Sequence, residues 1–397
     1  MIALETTFLE PLGRVTARPW AHAVTGMQVD SRRIRDGDLF VAIDGGVDFV
    51  QHALARGAAA ALVPDDPVAA LAAIAGEVRR RSGGRVVAIT GSTGKTSTKD
   101  ILYALCAPHL RTVANEGNFN TEIGVPLTLC RIEEDTQLCI SELAMRGLGQ
   151  IGWLASFVRP DIAVITNVGP VHLSLVETIE NVARAKAELV ESLPVGGTAI
   201  VPDDEPLLEP FLARPGITVV RVPADAPLPF ETAFTSAHQR RNARLAWAVA
   251  ERLGVPPPDG RLEVEFSRLR EEERPLPGGG LLLNDCYNAN PMSMRAALLN
   301  LVERAGDRRR VAVLGSMAEL GEASAGYHLE IAALLRELRI ERVIAVGEEA
   351  RAYGGEWVAD AAAAAVRLRA ALQPGDVVLV KGSRSVGLEA VAENLSA

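Results

Sequence analysis

Residues 86–97 read Val-Val-Ala-Ile-Thr-Gly-Ser-Thr-Gly-Lys-Thr-Ser, an order of residue types that can hold a phosphate. An apolar, β-branched run meets a glycine-bearing turn ending in Gly94-Lys95-Thr96, and residues 97–107 continue in a helix-compatible pattern. Gly91, Ser92, Thr93 and Gly94 let backbone N–H groups close around oxygens. Lys95 supplies a point charge, the Thr96 hydroxyl can reach Mg²⁺, and Ser97 lies in the first helical turn. The strict form of this loop has a glycine where Ile89 stands, so the chain carries a shortened variant. ATP or a related nucleotide is the expected ligand.

Further chemistry is expected beyond the carboxyl ends of parallel strands, where ligands of open α/β sheets gather. Glu142 follows an apolar run at 138–141; Asn167 and His172 follow another at 162–166. Glu142 fits the carboxylate that completes a Mg²⁺ shell beside a phosphate loop. The alternative is a glutamate interacting with a helix N-terminus. His172 is open between a functional and a structural loop histidine. Lys186, in Ala-Arg-Ala-Lys-Ala-Glu, reads by pattern as an ordinary solvated helix lysine.

The elements that must position these residues fall into three blocks, 1–82, 83–258 and 259–397. In the first, 38–43 and 59–63 read as short buried strands around a helix at 49–56, and the basic segment 79–84 reads as a linker. The second has apolar strands at 138–141, 162–166 and 198–201 between helical patterns, which predicts a parallel sheet covered on both faces. The Pro- and Gly-rich residues 254–260 mark the next boundary. Strands at 281–284, 310–315, 342–346 and 377–381, with a helix at 327–338, predict a second doubly wound unit. The fold class is therefore α/β: a small N-terminal domain, a central doubly wound, mostly parallel sheet with the phosphate loop, and a Rossmann-like C-terminal domain.

Composition narrows the function. The 397 residues carry a net charge of −9 and only 4% aromatics, against a duplex-binding face or a base-stacking surface, so no nucleic-acid partner is expected. No apolar run is long enough for a membrane span, and the N-terminus lacks the pattern of a secretory signal. Cys106, Cys130, Cys139 and Cys286 are widely spaced and read as buried reduced thiols, which fits a cytoplasmic location.

Several ordered segments resemble the Mur ligase family. They are Asp30-Ser31-Arg32; the loop 90–97; Asn118-Phe119-Asn120-Thr121-Glu122 and its continuation to 129; Ser141-Glu142-Leu143-Ala144-Met145-Arg146-Gly147; the run 165–173 ending in His172-Leu173; and Ala185-Lys186-Ala187-Glu188. The C-terminal block adds Asn284-Asp285-Cys286-Tyr287-Asn288-Ala289-Asn290-Pro291, the run 314–321 with His328, and Lys381-Gly382-Ser383-Arg384. The Tyr-Asn-Ala-Asn-Pro form resembles the dipeptide-adding member of the family. Sister ligases carry a Tyr-Ala-His type sequence, and the Asp-Asn-Pro-Arg signature of the diaminopimelate-adding sister is absent.

The resemblance implies an ATP-dependent amide ligase, a monomer, that joins D-alanyl-D-alanine to UDP-MurNAc-tripeptide. It implies that residues 91–97 hold the ATP phosphates, with Lys95 on the β/γ oxygens and Thr96 on Mg²⁺. Glu142 and His172 become Mg²⁺ ligands, and Lys186 matches a lysine carbamylated by CO₂. Asn242 and Arg261 match groups around the adenosine, and Asp285 and Asn288 match nucleotide or closure contacts. Ser31, Arg32, Asn118, Asn120 and Thr121 fall on the substrate side; His328 is a weak candidate base, and a satisfied surface histidine is the favoured reading of it. Departures occur at 46–49, Thr121, Gln239 and Ser316, and bear on the nucleotide-sugar contacts. Other readings are a sister amide ligase, a folylpolyglutamate synthetase, or a non-catalytic nucleotide-binding regulator.

Overall fold

The computed structural model describes residues 1–117, 119–270 and 272–395. Its middle layer is a six-stranded, wholly parallel sheet in the order Thr218–Val222, Thr198–Pro202, Ile162–Ile165, Arg85–Thr90, Leu138–Glu142, Thr112–Ala114. Side chains alternate across it. Val86 and Ala88 enter one apolar cluster, Val87 and Ile89 the other, so a continuous apolar run is buried on both faces. The phosphate-loop strand Arg85–Thr90 lies between Leu138–Glu142 and Ile162–Ile165, where the chain reverses its direction of travel across the sheet. Such a switch point opens a crevice at the carboxyl edge.

The C-terminal sheet runs Glu272–Leu276, Gly280–Asn284, Val377–Lys381, Arg310–Gly315, Arg342–Val346, Glu356–Val358, parallel except for the first pair. Its strands alternate in the same way, with Val311 and Val313 on one side and Ala312 and Leu314 on the other. The N-terminal sheet has four strands, Gly13–Ala17, Ala60–Pro64, Asp38–Val41 and Gly26–Gln28, the first pair antiparallel. Leu39, Val41 and Leu62 share one apolar cluster with Val86 and Ala88, so this unit is packed onto the middle sheet.

Two expectations need correction. Residues 79–84 are a linker only at 82–84, which join the helix Pro67–Arg81 to the strand Arg85–Thr90; Arg79, Arg80 and Arg81 form the last turn of that helix. Asp66 caps its start and Pro67 occupies the first helical position, while basic residues at the other end suit the macrodipole. Arg80 and Arg81 pair with Glu77 one turn back, both at 2.7 Å. Arg79 reaches across to the middle sheet, donating to the Val158, Arg159 and Gly84 carbonyls and to Asp161.

Residues 254–260 are likewise a loop within the middle unit. Arg261–Leu262 pairs with Glu231–Thr232, Leu262 joins the middle core, and Val264 and Phe266 pack against it. The packing passes to the third sheet only after Phe266. Both segments were misread because flexible-looking composition does not report long-range partners.

Arg79→Ala should lower the free energy of unfolding by roughly 1.5–3 kcal/mol, since it removes a largely buried, charge-assisted hydrogen-bond hub. Urea denaturation checks this; a loss near zero would restore the linker reading.

Candidate active site

The carboxyl ends of three neighbouring middle strands supply the first half of the site. Two glycines shape the loop after Arg85–Thr90. Gly91 has φ +152°, and a Cβ there would lie 1.8 Å from Thr166 Oγ1. Gly94 has φ +77°, and its Cβ would lie 2.5 Å from Asn242 Oδ1. Only glycine fits either position. The loop is also braced from the next strand end. Asn167 Oδ1 accepts from Thr93 N at 2.9 Å, and its amide donates to Thr93 Oγ1 at 2.8 Å. Ser92 Oγ exchanges hydrogen bonds with the Gly169 backbone at 2.8 and 3.0 Å. Lys95 Nζ donates to Gly91 O at 2.7 Å, curled over the loop, at the start of the helix Lys95–Cys106.

Glu142 is fully buried at the end of its strand, with no helix beginning there, so the helix-dipole alternative falls away. Its carboxylate accepts from Thr96 Oγ1 at 2.9 Å and from Asn120 Nδ2 at 2.7 Å, and its backbone N donates to Asn115 Oδ1 at 2.5 Å. The Thr96–Glu142 oxygen separation matches the edge of a Mg²⁺ octahedron with bonds of about 2.0–2.1 Å. Among the described residues no three His, Cys, Asp or Glu side chains form a closed metal cage. This suits Mg²⁺, which keeps waters and substrate phosphates as ligands.

His172 sits in left-handed backbone, φ 54°, with Nδ1 hydrogen-bonded to the Glu319 carboxylate. Burial holds its pKa below the ordinary histidine value against the pull of Glu319, and Lys95 and Lys186 push the same way as burial. Lys186 is not a solvated helix lysine: its relative exposure is 2%. Among the described residues its Nζ has no hydrogen bond or ion pair. Burial, with Lys95 close by, drives its pKa well below the lysine range. Burial and Arg270 also lower the pKa of Lys95, which Glu142 partly opposes. These mutual effects place Lys95, Glu142, His172 and Lys186 in one electrostatic neighbourhood.

The second half comes from the C-terminal sheet. Lys381 Nζ, fully buried, pairs with Asp285 at 2.5 Å and donates to Asn288 O at 3.0 Å, fixing the turn after Gly280–Asn284. Asn290 and Ser293 form a capping box, with Pro291 in the first turn of the helix Pro291–Ala305. One pocket is lined by Thr93, Lys95, Asn242 and Arg270 together with Asp285 and Asn288. An adjoining one is lined by Lys95, Arg146, His172, Asn288, Glu319 and Arg384. The crevice is therefore walled by both sheets.

Some expected residues stand elsewhere. Arg261 is exposed, donates to Ala233 O and does not line the pocket beside the phosphate loop. Arg270 does, stacked 4.0 Å from the Tyr287 ring centroid. His328 is not a surface histidine or a base within reach. It is fully buried, its Nε2 accepting from Met317 N and its Nδ1 donating to Ser324 O. Ser31 and Arg32 line a separate N-terminal pocket with Phe40, Phe49 and His52, where His52 Nδ1 lies 3.0 Å from Ser31 Oγ. Arg32 folds back on Asp30, whose carboxyl is held down at about 2. Thr121 is exposed before the helix Gly124–Leu129, and its carbonyl accepts from Val125 N. Asn118 lies outside the described residues.

Asn115 and Arg270 carry no signal in the sequence; Glu319 and Lys381 fall in family-like runs without an assigned role, and Asn167 is marked only as a polar residue at a strand end.

Residues 89–251 match the Mur ligase middle domain, and residues 267–384 match the Mur ligase glutamate ligase domain. The UDP-N-acetylmuramoyl-tripeptide–D-alanyl-D-alanine ligase of Mycobacterium tuberculosis is 34% identical over 94% of this chain and 92% of its own length. That of Escherichia coli is 32% identical over 92% of each. The crystal structure of MurF from Acinetobacter baumannii superposes with a TM-score of 0.85 at 26% identity, covering 99% of this chain and 98% of the other. MurF ligase from Thermotoga maritima, solved in complex with ADP, gives 0.81 at 27% identity over 94% and 97%.

Because the folded state holds Lys186 with a depressed pKa, the unfolded chain binds more protons between that value and the ordinary lysine value. Stability contributed at this site should rise with pH across that window. In CO₂-free buffer without nucleotide, Lys186→Met should remove the slope and raise stability most at the acid end. Chemical denaturation across pH checks it, and parallel curves for the two proteins would contradict it.

Proposed function

The chain belongs to the Mur ligase family, and from that premise we propose that it joins D-alanyl-D-alanine to UDP-N-acetylmuramoyl-tripeptide at the expense of ATP. It is an ATP-dependent, amide-forming ligase of peptidoglycan precursor synthesis. The observation that supports this most is that Lys95, Thr96 and His172 line two adjoining pockets with Asp285, Asn288 and Lys381, while Glu142 is bonded to Thr96 and buried Lys186 lies within electrostatic reach of Lys95 and His172.

A carboxylate does not condense with an amine unaided, because oxide is a poor leaving group. The tripeptide carboxylate attacks the γ-phosphorus of ATP; an O–P bond forms, the bond to the β,γ-bridging oxygen breaks, and ADP departs. The dipeptide amine then attacks the acyl phosphate carbonyl, and the tetrahedral intermediate collapses with loss of phosphate. Two anions about 4 Å apart at an effective dielectric near 20 repel by about 4 kcal/mol, so the first step needs positive charge already in place.

We assign Gly91, Ser92, Thr93, Gly94, Lys95, Thr96 and Ser97 to the phosphates, with Lys95 toward the β/γ oxygens and Asn242 bordering the nucleotide. Thr96 and Glu142 would hold one Mg²⁺, with His172 and Lys186 on the side of a second. When bound, Mg²⁺ neutralises charge shared between phosphate and peptide acid. The neutral Lys186 amine favoured by burial has a lone pair free to attack CO₂. A C–N bond forms and a proton leaves, giving an anionic carbamate among the cations. Asp285 and Asn288 face the nucleotide from the C-terminal side. Ser31 and Arg32 receive the UDP end, and we assign Asn120 and Thr121 to the substrate, with Asn118 assigned there by its likeness in sequence alone. Closure of the walls excludes water from the acyl phosphate.

We take residues 1–82 as the UDP-sugar domain, with the ATP-binding and C-terminal domains meeting after Phe266. We also place the reaction in the cytoplasm, with the chain acting as a monomer. Four free, buried cysteines suit a reducing compartment, and among the described residues no helix is long and apolar enough to cross a membrane.

Phosphate release should require UDP-MurNAc-tripeptide and D-alanyl-D-alanine together; efficient use of a single amino acid instead would reassign the chain to a sister ligase. Lys95→Ala should abolish ADP release. Lys186→Ala should lose about 10–100-fold or more in rate and regain part with an added short-chain carboxylate. Full turnover by that variant would remove the carbamate.

A further inference from the structure

The His172–Glu319 contact joins two sheets, and both partners hold backbone conformations that favour glycine. Among the described residues only seven non-glycine positions have positive φ, and His172 (54°) and Glu319 (64°) are two of them. Such conformations persist where the surroundings over-determine them, and they gather at functional sites. The two loops also abut along the backbone. Ser174 N donates to Glu319 O at 3.2 Å, and a Cβ on Gly321 would lie 3.2 Å from Ser174 Cα.

We propose that Glu319 is a positioning residue that orients His172 for cation binding, so that the cation site is complete only when the C-terminal sheet is docked on the middle one. The proposal rests on the reading of His172 as a cation ligand. A carboxylate facing Nδ1 favours the tautomer that carries the ring proton on Nδ1. That leaves the Nε2 lone pair for a cation. A carboxylate on the far nitrogen of a ligating histidine fixes its tautomer and ring orientation and raises its basicity. Glu319 is suited to this role alone, since among the described residues its carboxylate pairs with no other cation. An ordinary half-exposed ion pair would need neither the two strained backbones nor the close approach of the loops.

Mn²⁺, titrated into the full-length protein with ADP and counted by electron paramagnetic resonance, tests this. His172→Ala identifies the binding step that depends on His172. Glu319→Gly, which suits the positive φ, should weaken that same step about 10–100-fold. The Mg²⁺ concentration for half-maximal rate should rise by a similar factor. Glu319→Gln, which keeps an acceptor for Nδ1–H, should fall between this variant and the wild type. A purely structural Glu319 would lower the melting temperature of both variants and leave Mn²⁺ affinity unchanged, which would overturn the inference while His172→Ala still lost binding. Unchanged Mn²⁺ binding by His172→Ala would instead remove the reading of His172 itself, and the inference with it.

Discussion

Positive charge held out of water with too little negative charge to neutralise it is the condition on which this structure turns. The chain has only four lysines, and three of them, Lys99, Lys186 and Lys381, are buried to 3% exposure or less; the fourth, Lys95, is half-buried at the loop. Lys99 and Lys381 have acids, Asp100 and Asp285. Among the described residues Lys95 has only a carbonyl as hydrogen-bond partner and Lys186 has none. A buried, unpaired ammonium is costly enough to neutralise or to demand a counter-charge. In the proposed reaction a triphosphate and a peptide acid bring that counter-charge, and both pockets open onto the crevice between the sheets.

The cost is carried by rigid surroundings. The middle sheet buries both faces, so its strand ends are fixed, and Asn167 and Ser92 stiffen the loop between them. On the opposite wall the Lys381–Asp285 pair and the Asn290–Ser293 capping box hold the turn that carries Asn288. The helix Lys95–Cys106 links the walls. It presents Lys95 and Thr96 at its start, and farther along Asp100 accepts from Ser267 N and Oγ, where the chain crosses to the third sheet. The diagnostic run 287–291 therefore divides its labour: Asn288 faces the pockets, while Asn290 and Pro291 build the helix start that aims it.

Much of this architecture could be read before any coordinates, and the reason is local. A strand buried on both faces must be a continuous apolar run, and the strands at 310–315, 342–346 and 377–381 fall on those residues. The phosphate loop is equally local, because its glycines, lysine and threonine act within one turn of chain. Where partners are distant, local pattern misled. The arginines at 79–81 looked like a linker because the carbonyls that bind Arg79 lie on the middle unit. Arg261 looked placed for the nucleotide, but its strand turns it outward, and Arg270 stands in the pocket instead.

Residue types and order thus determined the cradle, the parallel sheets and the membership of the family, since each is written in short-range spacing and alternation. Tertiary structure alone decided which groups share an electrostatic field. Spacing and pattern alone read Lys186 as a solvated helix lysine, and only its likeness to a family segment set it apart; nothing in the run 314–321 marks Glu319 as a partner of His172. Burial depends on what packs over a side chain, and a pKa depends on charges that chain distance does not measure. The helix that looks amphipathic and solvated at Lys186 is instead covered, and coverage pushes the pKa of an ordinary lysine well below its usual range.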